Sequence, residues 1–323
     1  MSENASQTIG WQGITLNVPE DWAVTGFGGD VRNGTLRVDA GGRESKTAPS
    51  GLEVRWIDSK KAQTEGLLQD RLKLLLKAVE KAAHKEKTQA ETWTGTVTAK
   101  RHEDRPAEIA FRWSTSSSAS GRIWYCETCG RIVITQVYGP GGARFLDSAG
   151  QILSSIGCHG SEVGWRTWAL YALETQAPAE YTLAGQQVLN IHLQLRFNKA
   201  RAEEALIIEQ WSLANVQLKN MYLDEWFEVK AGTSLSHVKY EKTEEEIDGH
   251  SVLALSGKKS GIIYWLSDGL RDLMRFRIPA TRYEAMVWEC PDSNKAYLIQ
   301  CVSRRSERDL VREIAGRTRC HAR

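Results

Sequence analysis

The chain has no long apolar run, little proline, few cysteines and almost no excess of charge. No stretch approaches the ~20 apolar residues that a membrane helix needs. The first ten residues, Met1 to Gly10, are polar and lack the basic and apolar regions of a signal peptide. Together these absences predict no membrane partner and a cytoplasmic protein. Six cysteines among 323 residues are too few for a disulfide-stapled secreted scaffold. Seven prolines and no low-complexity tract argue against long disordered segments. The 42 basic and 40 acidic residues nearly cancel, so the chain has no electrostatic footprint for nucleic acid. Lysines gather between Lys60 and Lys87, but Glu65, Asp70, Glu80 and Glu86 interrupt them, as on a solvated helix face. No dinucleotide-binding glycine motif, P-loop or nucleophile elbow occurs. Gly26-Phe27-Gly28-Gly29 lies between strand-like segments with no helix following, which predicts a turn rather than a phosphate cradle.

What is present is an internal repeat. Trp124-Tyr125-Cys126 matches Trp288-Glu289-Cys290 at an offset of 164 residues, and the match runs on without a gap to Gln136 and Gln300. With the offset shortened to 162, Cys158-His159 falls on Cys320-His321. Earlier segments match more loosely. Val18-Pro19-Glu20-Asp21-Trp22 corresponds to Ala177-Pro178-Ala179-Glu180-Tyr181, Leu52 to Trp56 to Ile207 to Trp211, and Arg105 to Ile109 to Gly249 to Leu253. Their common order predicts two tandem domains, residues 1–160 and 164–323, joined by the short polar link Gly160 to Gly164. A link so short predicts that the copies touch.

In the first copy, Ile14 to Val18 and Thr35 to Asp39 alternate apolar and polar residues, as half-buried strands do. Leu52 to Ile57 reads as a third strand. A helix over Lys60 to Lys87 carries Leu68, Leu72, Leu75, Leu76, Val79 and Ala83 on one face. Strands follow at Thr92 to Ala99, Glu108 to Ser114, Arg122 to Glu127 and Arg131 to Tyr138, then a closing helix at Phe145 to Ser155. The second copy repeats the order, with strands at His192 to Phe197, Ala205 to Leu213 and Ser251 to Ser256, a middle helix at Asn215 to Val229, and an added segment at Gly261 to Pro279. Strands in runs, rather than alternating with helices, predict α+β: two tandem copies of an antiparallel sheet packed with helices. The Pro-x-x-Trp of Pro19 to Trp22, the element order and the closing segment Phe145 to Ile156 resemble the PsbP-like fold over most of each copy. The resemblance implies a binding or accessory module with no shared catalytic site. The tandem arrangement and the Cys-His endings depart from that family's pattern.

The cysteines carry the chemistry. Cys126 and Cys129 sit at a predicted hairpin turn. The strand after it advances about 25 Å at ~3.3 Å per residue, and the closing helix returns about 20 Å at ~1.5 Å per residue. Cys126, Cys129, Cys158 and His159 therefore converge. So do Cys290, Cys320 and His321, with Asp292 as a fourth, oxygen donor, while Cys301 stays at the far end of its strand. Such sets suit a structural zinc site. They equally suit packed thiols with no cofactor, a disulfide, or a redox pair, although the C-x-x-C lacks the helix start that activates such a thiol. Adjacent Cys-His residues also seldom reach one ion together. His84, His102, His192, His237 and His250 read as surface or structural residues, His192 for want of a carboxylate at useful spacing. Glu244-Glu245-Glu246 reads as a solvated turn.

Twelve tryptophans, among them Trp11, Trp22, Trp56, Trp93, Trp113 and Trp124, are expected mostly in the core. With Arg55, Arg112 and Arg275 they also suit a groove for a protein or small-molecule partner. The overall expectation is a non-enzymatic binding or scaffold module. The alternative is a metal- or thiol-dependent protein using the clustered Cys and His.

Overall fold

A computed structural model describes residues 6–41, 49–60, 64–96, 105, 107–160, 162–199, 204–232, 235, 238–259 and 282–321. His102, His237, Arg275 and the segment 261–279 lie outside the described residues. The chain divides into two compact units, Met1–Ala172 and Leu173–Arg323. Both are α+β, with antiparallel sheets.

The first unit opens with strands β1 (Ser6–Trp11) and β2 (Ile14–Pro19), a hairpin turned by Gln12 and Gly13, both at positive φ. Such a two-residue turn matches the right-handed twist of its strands. β1 also pairs with strand Trp165–Leu170, called β10 below, which keeps that strand in the first unit. Seven further strands are β3 (Trp22–Gly29), β4 (Gly34–Ala40), β5 (Gly51–Asp58), β6 (Glu91–Thr96), β7 (Ala107–Ser114), β8 (Ser118–Cys126) and β9 (Arg131–Gly139). They form one sheet in the order β3-β4-β5-β9-β8-β7-β6. Helix α1 (Glu65–Lys85) buries Leu68, Leu72 and Leu76 against Ile109, Phe111, Ile123 and Tyr125. It is shorter than its leucine stripe predicts because Thr64 caps its first turn and Lys87 adopts positive φ after its last. Helix α2 (Ala143–Ser154) covers the opposite face, where Arg122, one residue from Ile123, donates to Ser154.

The second unit begins with β11 (Leu173–Pro178). Its sheet comprises β12 (Tyr181–Leu189), β13 (His192–Lys199), β14 (Ala205–Ser212), β15 (Val238–Ile247), β16 (His250–Lys259), β17 (Arg282–Cys290) and β18 (Lys295–Ser303). The order is β12-β13-β14-β18-β17-β16-β15. The expected middle helix is two pieces, α3 (Ala214–Gln217) and α4 (Leu223–Ala231), separated where Asn220 takes positive φ. α4 buries Trp226 and Phe227 against Leu255, Tyr283, Val287 and Leu298. Helix α5 (Arg308–Gly316) buries Val311, Ile314 and Ala315. Glu244 to Glu246 belong to edge strand β15, not to a turn. Asp248 and Gly249, both at positive φ, make the turn instead. Charge along an edge strand blocks pairing with other chains, and here Glu245 also pairs with Arg308 and Arg312.

The two seven-stranded sheets have the same strand order. Each shifts register once in its first hairpin, between Val24 and Gly26 and between Leu183 and Gly185. Each unit also has one isolated bridge just before its Cys-His pair, Thr15 with Gly157 and Glu174 with Arg319.

Candidate metal centres

In the first unit, β8 ends at Cys126 and β9 starts at Arg131, and these two residues close the hairpin. Gly130 donates to the Cys126 carbonyl, folding the four-residue turn so that Cys129 faces back towards Cys126. Arg131 is buried and fixes the turn from behind, donating to the carbonyls of Gln12 and Val31. The closing segment is pinned just as firmly. Gly157 and Thr15 exchange two backbone hydrogen bonds, an approach that a side chain at Gly157 would obstruct at 2.8 Å from the Thr15 hydroxyl. Arg105, stacked on Trp124, donates to Ile156. Cys158 and His159 thus follow a fixed point rather than a free helix end.

Four ligand atoms meet here. Those of Cys126, Cys129, Cys158 and His159 all lie within 4.8 Å of one another. His159 Nδ1 is 3.5 Å from Cys126 Sγ and 3.6 Å from Cys158 Sγ. Cys129 Sγ is 3.8 Å from Cys158 Sγ. Adjacent Cys and His reach the same point because the chain bends after the bridge, where a strand would send neighbouring side chains to opposite faces.

The second unit builds a like cluster from a different set. Cys290 and Lys295 close the β17–β18 hairpin, and Arg319 is tied by its backbone to Glu174 just ahead of Cys320. His250, Cys290, Cys320 and His321 bring their ligand atoms within 4.8 Å. His321 Nδ1 is 3.3 Å from Cys290 Sγ and 3.2 Å from Cys320 Sγ, and His250 Nε2 is 3.6 Å from Cys320 Sγ. His250, read from sequence as isolated, is the fourth member. Asp292 is not: its carboxylate lies 4.0 Å from His321 Nδ1 on a largely exposed side chain. The Nδ1 of His250 is 3.1 Å from the Asp248 carbonyl. A proton on Nδ1 donates there and leaves the Nε2 lone pair facing the sulfurs, the usual outer-shell device for a ligating histidine.

All six cysteines are thiols, and their proton affinities are pulled apart. Cys129 is held far below the ordinary thiol range by hydrogen bonds from Cys126 and Cys158, with Arg131 alongside. Its neighbours pay the reverse effect: Cys126 is pushed up to about 11 by its hydrogen bond to Cys129, and Cys158 rises further. In the second unit burial acts to raise Cys290, but hydrogen bonds from Ser293, His321 and His250 outweigh it and bring it to about 6. Burial and the nearby Cys290 push Cys320 up to about 12. Without a cation, each cluster accommodates one thiolate at the expense of the next. Cys301 lies buried elsewhere on β18, opposite Leu206 and Glu284.

Among the described residues, one buried polar network and one half-buried one also lie outside these clusters. Glu209 accepts from Gln300 and sits 2.8 Å from His192 Nε2, while Tyr283 donates to Gln300. His192 therefore has its carboxylate, supplied from the neighbouring strand. In the first unit Tyr138 donates to Glu53, and Trp113 and Tyr138 flank Gln136. Trp11, Trp22, Trp56 and Trp124 are buried, but Trp93 is exposed beneath Arg112.

No known protein-family model matches the chain, and no curated protein matches it. Among solved structures it is similar to the apo immunity protein TplEi of the T6SS from Pseudomonas aeruginosa, over 97% of this chain and 96% of that one. The identity is 8% and the TM-score 0.28, a likeness too loose to carry an argument. Among the described residues, no helix is long and apolar enough to cross a membrane.

Proposed function

We propose that the protein is a non-enzymatic binding or scaffold module, a duplicated PsbP-like domain in which each copy is closed by a structural zinc ion. The observation that carries the metal reading is the spacing of the ligand atoms. Around Zn²⁺, with Zn–S about 2.3 Å and Zn–N about 2.0–2.1 Å, tetrahedral ligands stand roughly 3.8 Å apart for S···S and 3.6 Å for S···N. The S···S contact is 3.8 Å, and the S···N contacts run from 3.2 to 3.6 Å. Packed thiols alone have no reason to gather three imidazoles into the two polyhedra.

Four protein ligands leave no open position, so each ion would act in folding rather than catalysis. Cys126, Cys129, Cys158 and His159 would hold one ion, and His250, Cys290, Cys320 and His321 the other. A dication would also relieve the conflict among neighbouring thiols, since all can then ionise together. Duplication is supported by the shared strand order, the shared register shift and the bridge preceding each Cys-His pair. A partner or small ligand has one candidate seat in a cavity of about 260 Å³ beside α1, floored by Leu72, Leu76 and Ile109 and rimmed by Glu65, Gln69 and Lys73.

Elemental analysis of the purified full chain tests the metal reading. Two zinc ions per chain are expected, falling to one in Cys158→Ser. A folded chain with no bound metal would overturn it.

A further inference from the structure

The two sites differ in their third position. Three residues beyond Cys126 the turn carries Cys129, whereas three residues beyond Cys290 it carries Ser293. Cys129 is the partly exposed thiol of its site, while Cys126 and Cys158 are buried. It sits on the hairpin turn next to Gly130, which holds positive φ, and Cys158 is anchored by the Gly157–Thr15 bridge. Their sulfurs are 3.8 Å apart. A disulfide requires about 2.05 Å, a closure that the exposed turn makes by moving towards a fixed partner.

Resting on the metal reading above, we propose that Cys129 and Cys158 form a modification site for hydrogen peroxide, whose oxidation expels the metal of the first unit and spares that of the second. The Cys129 thiolate attacks one peroxide oxygen, the O–O bond breaks, and Cys129 becomes a sulfenic acid with release of hydroxide. The Cys158 thiolate then attacks that sulfur, the S–S bond forms, and a second hydroxide leaves. The two thiolates supply the two electrons, and two solvent protons convert the hydroxides to water. Cys126 and His159 remain, 3.5 Å apart. Two ligands do not hold a four-coordinate structural zinc. In the second unit the position equivalent to Cys129 carries the Ser293 hydroxyl, and the ligand that replaces the turn thiol is the imidazole of His250.

The test uses the full zinc-loaded chain. Zinc is counted first, hydrogen peroxide is added, release is followed with a chromogenic chelator, and peptides are mapped without reduction. One equivalent should be released, with a Cys129–Cys158 linked peptide and the second zinc retained. Cys129→His keeps four N and S ligands and should hold both ions through the same exposure. Ser293→Cys leaves every ligand in place and should make the second ion labile as well. Simultaneous loss of both ions, a linkage through Cys290 and Cys320, or a Ser293→Cys chain no more labile than its parent overturns the proposal. A chain without zinc before treatment sinks the metal reading. A chain that starts with two and keeps both sinks only the oxidation.

Discussion

The first unit takes its fourth ligand from the hairpin that already supplies Cys126, whereas the second takes it from the start of the adjacent strand β16, at His250. The other three positions coincide: a cysteine ending the penultimate strand, then a Cys-His pair following a bridged residue. Register explains the substitution. β16 pairs with β17 through Val252 and Trp288, so two residues further His250 stands in line with Cys290. In the first copy the residue that precedes Ala107 in sequence is Pro106, whose side chain has no ligating atom. The place of the cluster is thus set by how the fold closes, and its composition by whichever neighbouring turn carries a nitrogen or sulfur.

That comparison breaks most severely where the units agree. Cys158→Ser and Cys320→Ser each remove a ligand from the three shared positions, and each should cost its own unit one zinc and roughly 3 kcal/mol or more of stability. Two unfolding transitions, each shifted by only one of the substitutions, would establish that the sites act separately. A shift of both by either one would break the comparison. The central helices give the next largest effect. Trp226→Ala in α4 should cost about 3–5 kcal/mol and Leu72→Ala in α1 about 2–4 kcal/mol, through lost burial and residual cavities. Chemical denaturation reads both. A lower cost for Trp226→Ala than for Leu72→Ala would show that the short α4 is not tied to its sheet by that one indole.

Much of the first cluster was legible because its parts are contiguous: a strand and a returning helix of known rise per residue bring Cys158 and His159 back to Cys126 and Cys129. His250 was not, since its approach to Cys290 depends on which strands are neighbours and in what register. The same limit hid Glu209 from His192, which lies on the next strand. It also misaligned one repeat segment by a residue. Trp56 stands opposite Val133 and Gln210 opposite Tyr297, the 164-residue counterpart of Val133. Trp56 therefore corresponds to Gln210, not to Trp211. A one-residue slip sends a strand side chain to the other face: Trp56 is fully buried, whereas Trp211 stacks on His192 at 3.7 Å between ring centroids. The α+β class itself was readable from alternation and stripes, since those depend only on local period.

The two candidate fourth ligands of the second site give the smallest and sharpest test. His250 contributes a nitrogen aimed by the Asp248 carbonyl, so His250→Ala should weaken zinc binding in the second unit on the order of 100-fold or more, beyond the 10–100-fold typical of outer-shell losses. Asp292 has 76% of its side chain exposed, at 4.0 Å from His321. An exposed charge at that distance is worth about 0–1 kcal/mol, so Asp292→Ala should change affinity by roughly fivefold at most. Competition with a chelator of known strength measures both. If the aspartate variant lost more zinc than the histidine variant, the second site would be an oxygen-completed one, and its likeness to the first would end at the three shared positions.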